Sequence, residues 1–258
     1  MRALFTASTG MDAQQVRIDT IANNLANVGT TGFKRQRAEF QDLFYDTLRD
    51  PGVETSSGDV MPVGSQVGHG VALGAITRLH TQGDRIATNR QFDLAIDGAG
   101  YLQVEMPTGE LAFTRDGSLQ VGPDGSLMTR SGALVQPNVQ IPAEASVVTI
   151  LEDGTVSATL AGESDPVVVG QLELVRFANP GGLRAVGSNL FEATPGSGDP
   201  EVGVPGVDGL GGVSQGFLES SNVNMAEELV RLILAQRAFE VNSRVIQTAD
   251  EMLQRATR

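Results

Sequence analysis

The sequence predicts an α+β fold: two long terminal α-helices forming a coiled-coil-like layer, with a mainly antiparallel β domain between them. Three observations carry this expectation. Near the N-terminus, Leu4, Met11, Ile18 and Leu25 recur every seven residues, and Ala7, Gln14, Ile21 and Val28 follow the same period three residues later. Near the C-terminus, Met225, Leu232, Phe239, Ile246 and Leu253 keep that period, with Leu229 beside them and the small Ala235, Ala249 and Ala256 at the offset positions. A sustained seven-residue seam is what helices use to pack along one another. Between the seams, short apolar runs are closed by turn signals such as Asp97-Gly98, Asp116-Gly117 and Asp153-Gly154, which is the pattern of hairpins. The expected division is residues 1–34 with 221–258 as a discontinuous terminal helical domain, 35–72 as a connecting arm of extended or hairpin structure, and 73–220 as the β domain.

The first helix is expected over 3–28. Its apolar stripe has the narrow width of a coiled-coil seam. Thr9, Gly10, Thr20, Asn23, Asn24 and Asn27 are poor helix formers, so the helix is marginal alone in water and needs a packing partner. Gly29-Thr-Thr-Gly32 ends it, with glycine near the C-cap. Residues 33–49 leave two readings open. Phe40, Leu43, Phe44, Thr47 and Leu48 have helical spacing, whereas Ala38, Phe40 and Phe44 also share one face of a strand. From Asp50 to Gly70 the composition turns to Gly, Pro and Ser, the chemistry of a loop or extended arm. Val53, Val60, Met61, Val63 and Val67 are more apolar than a purely solvated linker requires.

Three hairpins are expected in the β domain. Tyr101–Met106 pairs with Glu110–Thr114, Ser118–Val121 with Ser126–Thr129, and Val147–Leu151 with Thr155–Leu160. Val167–Phe177 is the longest run, with Leu172, Leu174 and Arg176 facing opposite to Glu173, Val175 and Phe177. An antiparallel sandwich or partly open barrel follows. The C-terminal helix starts at Asn224, an N-cap residue with Glu227 three positions on, as in a capping box. Glu227 and Glu228 suit the positive end of the helix dipole, and Arg255 and Arg258 the negative end. A rod of thirty residues is about 45 Å long, too long for one small β domain to cover.

Composition excludes several functions. The 258 residues carry 18 Lys+Arg against 31 Asp+Glu, a net charge of −13. Duplex nucleic acid needs a basic surface to meet its phosphates, so it is an unexpected partner, and an anionic membrane surface is disfavoured for the same reason. Cysteine is absent, which removes disulfides, thiolate catalysis and Cys-based metal sites. The first ten residues hold no apolar h-region, and no run approaches a membrane span, so neither a cleaved signal nor membrane insertion is expected.

No constellation of catalytic residues emerges. Gly212-Val-Ser-Gln-Gly216 matches the G-x-S-x-G nucleophile pattern, and a serine hydrolase using Ser214 is the alternative of another class. Its context fails. Glycine-rich chain precedes the serine, no helix follows directly, and His69 and His80 come too early to be the partner base. Two histidines make a poor metal site, and the Asp-Gly turns lack calcium-loop spacing. The expectation is therefore a chain that is not an enzyme and holds no cofactor or metal. A soluble coiled-coil adaptor carrying a β-sandwich explains the seams but not the motifs at the two ends.

Those motifs resemble a known family. Ala22-Asn-Asn-Leu-Ala-Asn27 followed by Thr31-Gly-Phe-Lys34 resembles the N-terminal signature of bacterial flagellar axial proteins of the rod and hook. Residues Asn23, Asn24, Ala26, Asn27, Gly32, Phe33 and Lys34 carry it. Ser221–Leu229 and Gln236–Asn242 look like the family's C-terminal helix, and Asp93–Gly98 and Phe113–Ser118 match its middle. The length, the Phe33–Leu43 run and the Asp50–Gly70 arm are similar to the distal-rod branch. Proximal-rod and hook homologues are the alternatives. Phe239 stands where many relatives have Tyr, a change that spares packing.

The resemblance implies a structural subunit that self-assembles into a rigid helical tube transmitting motor torque through the periplasm to the hook. Implied partners are copies of itself, proximal-rod and hook axial proteins, the surrounding bushing rings and the flagellar export apparatus, which would pass the chain unfolded without a cleaved signal. The implied location is the basal-body rod. In that setting each seam completes the core of neighbouring copies, and the ends of the free subunit fold on joining the tube.

Overall fold

The computed structural model describes residues 2–52, 63–162 and 165–256. Val53, Val60, Met61 and Arg258 lie outside them. The chain forms two compact units, one of residues 1–26, 36–78 and 224–258 and the other of residues 27–35 and 79–223. The expected division had placed 27–34 with the helices and 35–72 in an arm of its own.

Unit 1 contains α1 (Arg2–Ala26), β1 (Gln36–Asp42), β2 (Tyr45–Arg49), β3 (Ser65–Gly68), β4 (Val71–Arg78) and, from the far end of the chain, α2 (Met225–Ala256). Of the stretch that fits two periods, residues 36–42 and 45–49 are therefore strands, and Leu43 and Phe44 join them. β1 pairs antiparallel with β4, with a register shift at Glu39/Phe40, and β2 pairs antiparallel with β3. α1 ends at Ala26, two residues earlier than expected, and turns occupy the following residues up to Gly32. Asn224 caps α2: its Oδ1 accepts the backbone N–H groups of Ala226 at 3.0 Å and Glu227 at 3.3 Å, satisfying donors that the first turn leaves open.

Unit 2 contains β5 (Arg85–Ala87), β6 (Leu94–Asp97), β7 (Tyr101–Glu105), β8 (Leu111–Thr114), β9 (Leu119–Val121), β10 (Leu127–Thr129), β11 (Leu134–Gln136), β12 (Ala145–Ile150), β13 (Thr155–Leu160), β14 (Val167–Gln171), β15 (Leu174–Arg176), β16 (Arg184–Gly187), β17 (Leu190–Glu192), β18 (Glu201–Gly203), β19 (Gly212–Gln215) and β20 (Phe217–Glu219). The three expected hairpins form as β7–β8, β9–β10 and β12–β13, all antiparallel. The largest sheet runs β16-β17-β8-β7-β11-β10-β9, with β15 bridging β7 and β18. β12-β13-β14 form a second sheet, and β19–β6 and β20–β5 form two-stranded ribbons.

The run Val167–Phe177 is not one strand. It breaks at Leu172, whose N–H turns to the carbonyl of Gly154, so β14 and β15 lie in different sheets. Its two faces are nevertheless segregated as expected. Leu172 and Leu174 enter an aliphatic core with Leu94, Leu102, Leu119 and Val156. Val175 and Phe177 enter a smaller aromatic core with Tyr101, Phe113, Leu183 and Phe191. Edge-to-face contacts order the second cluster, the closest being Phe113 to Phe177 at 4.8 Å between centroids.

Candidate assembly elements

In unit 1 the two seams meet within one chain. Asn24 of α1 donates its amide to Glu228 of α2 at 3.1 Å, and Gly10 of α1 faces Asn242 of α2. Both pairs of positions lie fourteen residues apart along their helices, so α1 and α2 run antiparallel and in step. On α2 the face toward α1 is Glu228, Ala235 and Ala249, all buried, interleaved with half-buried Leu232, Phe239, Asn242 and Ile246. Small side chains and Gly10 let the helix axes approach. A Cβ on Gly10 would stand 2.8 Å from Asn242 Nδ2.

α1 is covered on two sides. Ala7 and Ile21 are buried on the expected seam, with Leu4, Met11, Ile18 and Leu25 half-buried. Ala13, Thr20 and Asn24 are buried as well, and α1 also packs on β1 and β4. The Asn24 amide donates to the Gln36 carbonyl and its Oδ1 accepts the Gln36 N–H, each at 2.8 Å. The second asparagine of the family motif thus bridges α1, β1 and α2, whereas Asn23 and Ala26 are exposed.

The expected C-terminal seam is only partly covered. Met225, Leu229 and Leu253 are exposed, because the face toward α1 passes through Glu228 rather than Leu229. A second stripe is left open. Val230, Leu234, Val241, Val245 and Met252 are between 44% and 63% exposed, and 230/241/252 and 234/245 recur at intervals of eleven residues.

The rest of the N-terminal motif serves unit 2. Val28 lies there, beyond the end of α1. Asn27 accepts the Thr30 N–H at 3.2 Å and starts the turn. Thr31 donates its hydroxyl to Asp116 at 2.9 Å, and its carbonyl accepts the Asn189 amide at 2.9 Å. The Gly32 N–H donates to the Glu219 carbonyl at 2.9 Å. Gly32 has φ +68°, and a Cβ there would sit 2.8 Å from Asp116 N and 2.9 Å from Arg115 C. Glycine is required by both conformation and space. Phe33 is half-buried, and its carbonyl accepts the Asn222 N–H.

Lys34 is 2% exposed. Its ammonium donates to Glu219 Oε1 at 2.5 Å and to the Thr81 carbonyl at 2.7 Å. Glu219 also accepts the Gly83 N–H at 2.9 Å and Arg115 at 3.1 Å. Arg115 donates further to the Gly98 carbonyl and lies over the Tyr101 ring, 5.5 Å from its centroid. Burial holds the Lys34 ammonium below its ordinary pKa; Glu219 works against this shift and Arg115 adds to it. Burial likewise pushes the Tyr101 phenol up to about 12, and its hydroxyl lies 2.6 Å from His80 Nδ1.

Asn222 ties the neighbouring backbone. Its Oδ1 accepts the Arg35 N–H at 2.7 Å, and its amide donates to the carbonyls of Leu79 at 2.8 Å and Thr81 at 3.0 Å.

Sequence reasoning missed Glu219, Arg115 and Asn222 as partners of the motif. One signal was present: among 18 Lys+Arg, Lys34 is the chain's one lysine. Ser214, the candidate nucleophile, sits inside β19 opposite Ala95 of β6, not on the strand-to-helix turn that the hydrolase motif needs. Among the described residues, no group of His, Asp and Glu could hold a metal, and no helix is long and apolar enough to cross a membrane.

Comparison with known proteins agrees from end to end. Residues 4–34 match the family described as flagella basal body rod protein. Residues 95–158 match the flagellar hook protein FlgE/F/G D1 domain, and 214–258 the flagellar basal body rod FlgEFG protein C-terminal region. The chain is 49% identical to the flagellar basal-body rod protein FlgG of Borreliella burgdorferi, over 98% of this chain and 96% of that one. It is 48% identical to FlgG of Caulobacter vibrioides, over 98% and 97%. It is 32% identical to the flagellar hook-basal body complex protein FlhP of Bacillus subtilis, also over 98% and 97%.

Proposed function

Since the chain belongs to the family of flagellar basal-body rod proteins, we propose that it is a structural subunit of the distal rod, self-assembling into a rigid tube that carries motor torque to the hook. The observation that carries this reading is the near full-length identity to proteins named as FlgG rod proteins. Copies of itself and other rod and hook proteins are its partners, the bushing rings surround it, and the flagellar export apparatus delivers it. It works by packing and does no catalysis.

The physics of unit 1 supports assembly. The inner seam is shared by α1 and α2, whereas the five apolar residues of the outer stripe face water in a single chain. Fully covering an exposed residue of this kind is worth about 1.5–3 kcal/mol, and these are about half exposed, so the outer stripe adds to the inner seam in offsetting the entropy of fixing the helix. The site residues are accordingly the seam positions, the outer stripe and the caps Asn224 and Glu227. The arm around residues 50–70, which carries the exposed Phe44, Leu48 and Val63 near its base, braces adjacent subunits and keeps the tube straight.

Imaging the purified full chain, alongside a deletion strain, tests the reading. Straight tubes in vitro, and loss of hook attachment and swimming in the strain, are expected. A deletion strain that still builds hook-bearing basal bodies refutes it. Assembly order in strains lacking each axial component separates a distal from a proximal role.

A further inference from the structure

Residues 27–35 lie between α1 and β1 in sequence, yet they belong to unit 2. The bonds described for Thr31, Gly32, Phe33, Lys34 and Arg35 are internal to that unit. Docking of this connector therefore needs neither α1 nor α2 to be folded. Undocking it would open a buried slot lined by the Thr81 carbonyl and Glu219 Oε1; these keep the neutral donors Asn222 and Gly83 but lose the charged one, and charge-assisted hydrogen bonds are the strong ones. It would also remove one of the ties that Asn222 makes.

We propose that residues 27–35 are a strap already folded into the β body of the free subunit, sealed by the buried Lys34–Glu219–Arg115 cluster, so that the N-terminal segment left to fold on assembly ends at Ala26. The choice of lysine fits this role. Every other cation in the chain is Arg, and the slot takes a compact ammonium rather than a planar guanidinium. The strap gives α1 a fixed C-terminal anchor. When the helix folds, it does so from a tethered end, which lowers the loop-closure cost of meeting its partner.

The single lysine is also the reporter. The full chain, kept monomeric by dilution, is treated with an N-hydroxysuccinimide acetate, and acylation of Lys34 is followed by mass spectrometry against the same chain in denaturant. The strap predicts a native rate at least about 30-fold slower than the denatured one, the protection that an opening equilibrium gives a buried group; a smaller ratio overturns it. In a Glu219→Gln variant that keeps the native Tyr101 signal, the rate should rise at least about tenfold, and an unchanged rate overturns the cluster as the seal. This readout needs no polymer. A chain that protects Lys34 but never forms tubes refutes the rod role and leaves the strap standing.

Discussion

Replacing Gly32 by Ala tests the connector most directly. The backbone there is left-handed at φ +68°, and the added methyl meets the backbone of Asp116 and Arg115 at 2.8 and 2.9 Å. The left-handed conformation costs a Cβ-bearing residue about 1–2 kcal/mol. Overpacking against backbone, which cannot rotate away, adds about 1–3 kcal/mol. The loss of unfolded-state freedom in Gly→Ala returns about 0.4–1 kcal/mol. The net is a loss of about 1–4.6 kcal/mol from unit 2. Gly29→Ala, three residues earlier, is the internal control, because its Cβ would meet nothing within 4 Å. The assay is urea unfolding followed at Tyr101, which is 4% exposed in the aromatic core of unit 2. The only other tyrosine, Tyr45, is removed as Tyr45→Phe. With a urea slope of about 2 kcal/mol/M, the Gly32→Ala midpoint falls by about 0.5–2.3 M, whereas the Gly29→Ala midpoint does not fall and gains up to about 0.5 M. Equal midpoints for the two variants would refute the reasoning about the connector.

The buried charges predict an order. Glu219→Gln strands two cations and should cost about 3–5 kcal/mol, whereas Lys34→Met leaves the Arg115–Glu219 pair intact and should cost less; the reverse order of urea midpoints contradicts the cluster. Leu234→Asp on the outer stripe should leave the subunit's stability within about 0.5 kcal/mol yet abolish tube formation and swimming, and motile cells carrying it would exclude the stripe from assembly. Tyr101 has its folded pKa raised to about 12, above the unfolded value of about 10. Its contribution to stability is present below pH of about 10 and is lost as pH rises toward about 12. In the Tyr45→Phe chain, phenolate absorbance should appear only in that upper range, and ionisation at the ordinary value while folded would contradict the burial. Deleting residues 50–70 should change the bending stiffness of assembled tubes, and unchanged stiffness in images counts against the brace.

Local chemistry was legible in the sequence, and long-range pairing was not. The hairpins β7–β8, β9–β10 and β12–β13 were readable because each is fixed by a turn of two or three residues between apolar runs. The Asn224 cap was readable for the same reason. Phe40 and Phe44 fitted both a helix and a strand, and only pairing with β4 decided for β1. The break at Leu172 was hidden because both faces of the run are apolar, each face serving a different core. Lys34 meets Glu219 across 185 positions, and Arg115 meets it across 104. Neither distance leaves a periodic trace. The motif could be recognised, but the reason for its glycine and its lysine appears only when the distant strand β20 is in place.

The two apolar stripes of α2 differ in period, and period sets the sense in which a helix winds. A seven-residue repeat draws a helix into a left-handed supercoil, and an eleven-residue repeat draws it toward a right-handed one. The inner seam at Leu232, Phe239 and Ile246 asks for the first, and the outer face at Val230, Val241 and Met252 asks for the second. A helix gripped along both faces is biased in opposite directions and is held close to straight. Where neighbouring copies cover the outer face, twisting the helix either way would loosen one of the two contacts, so α2 would resist torsion in both senses.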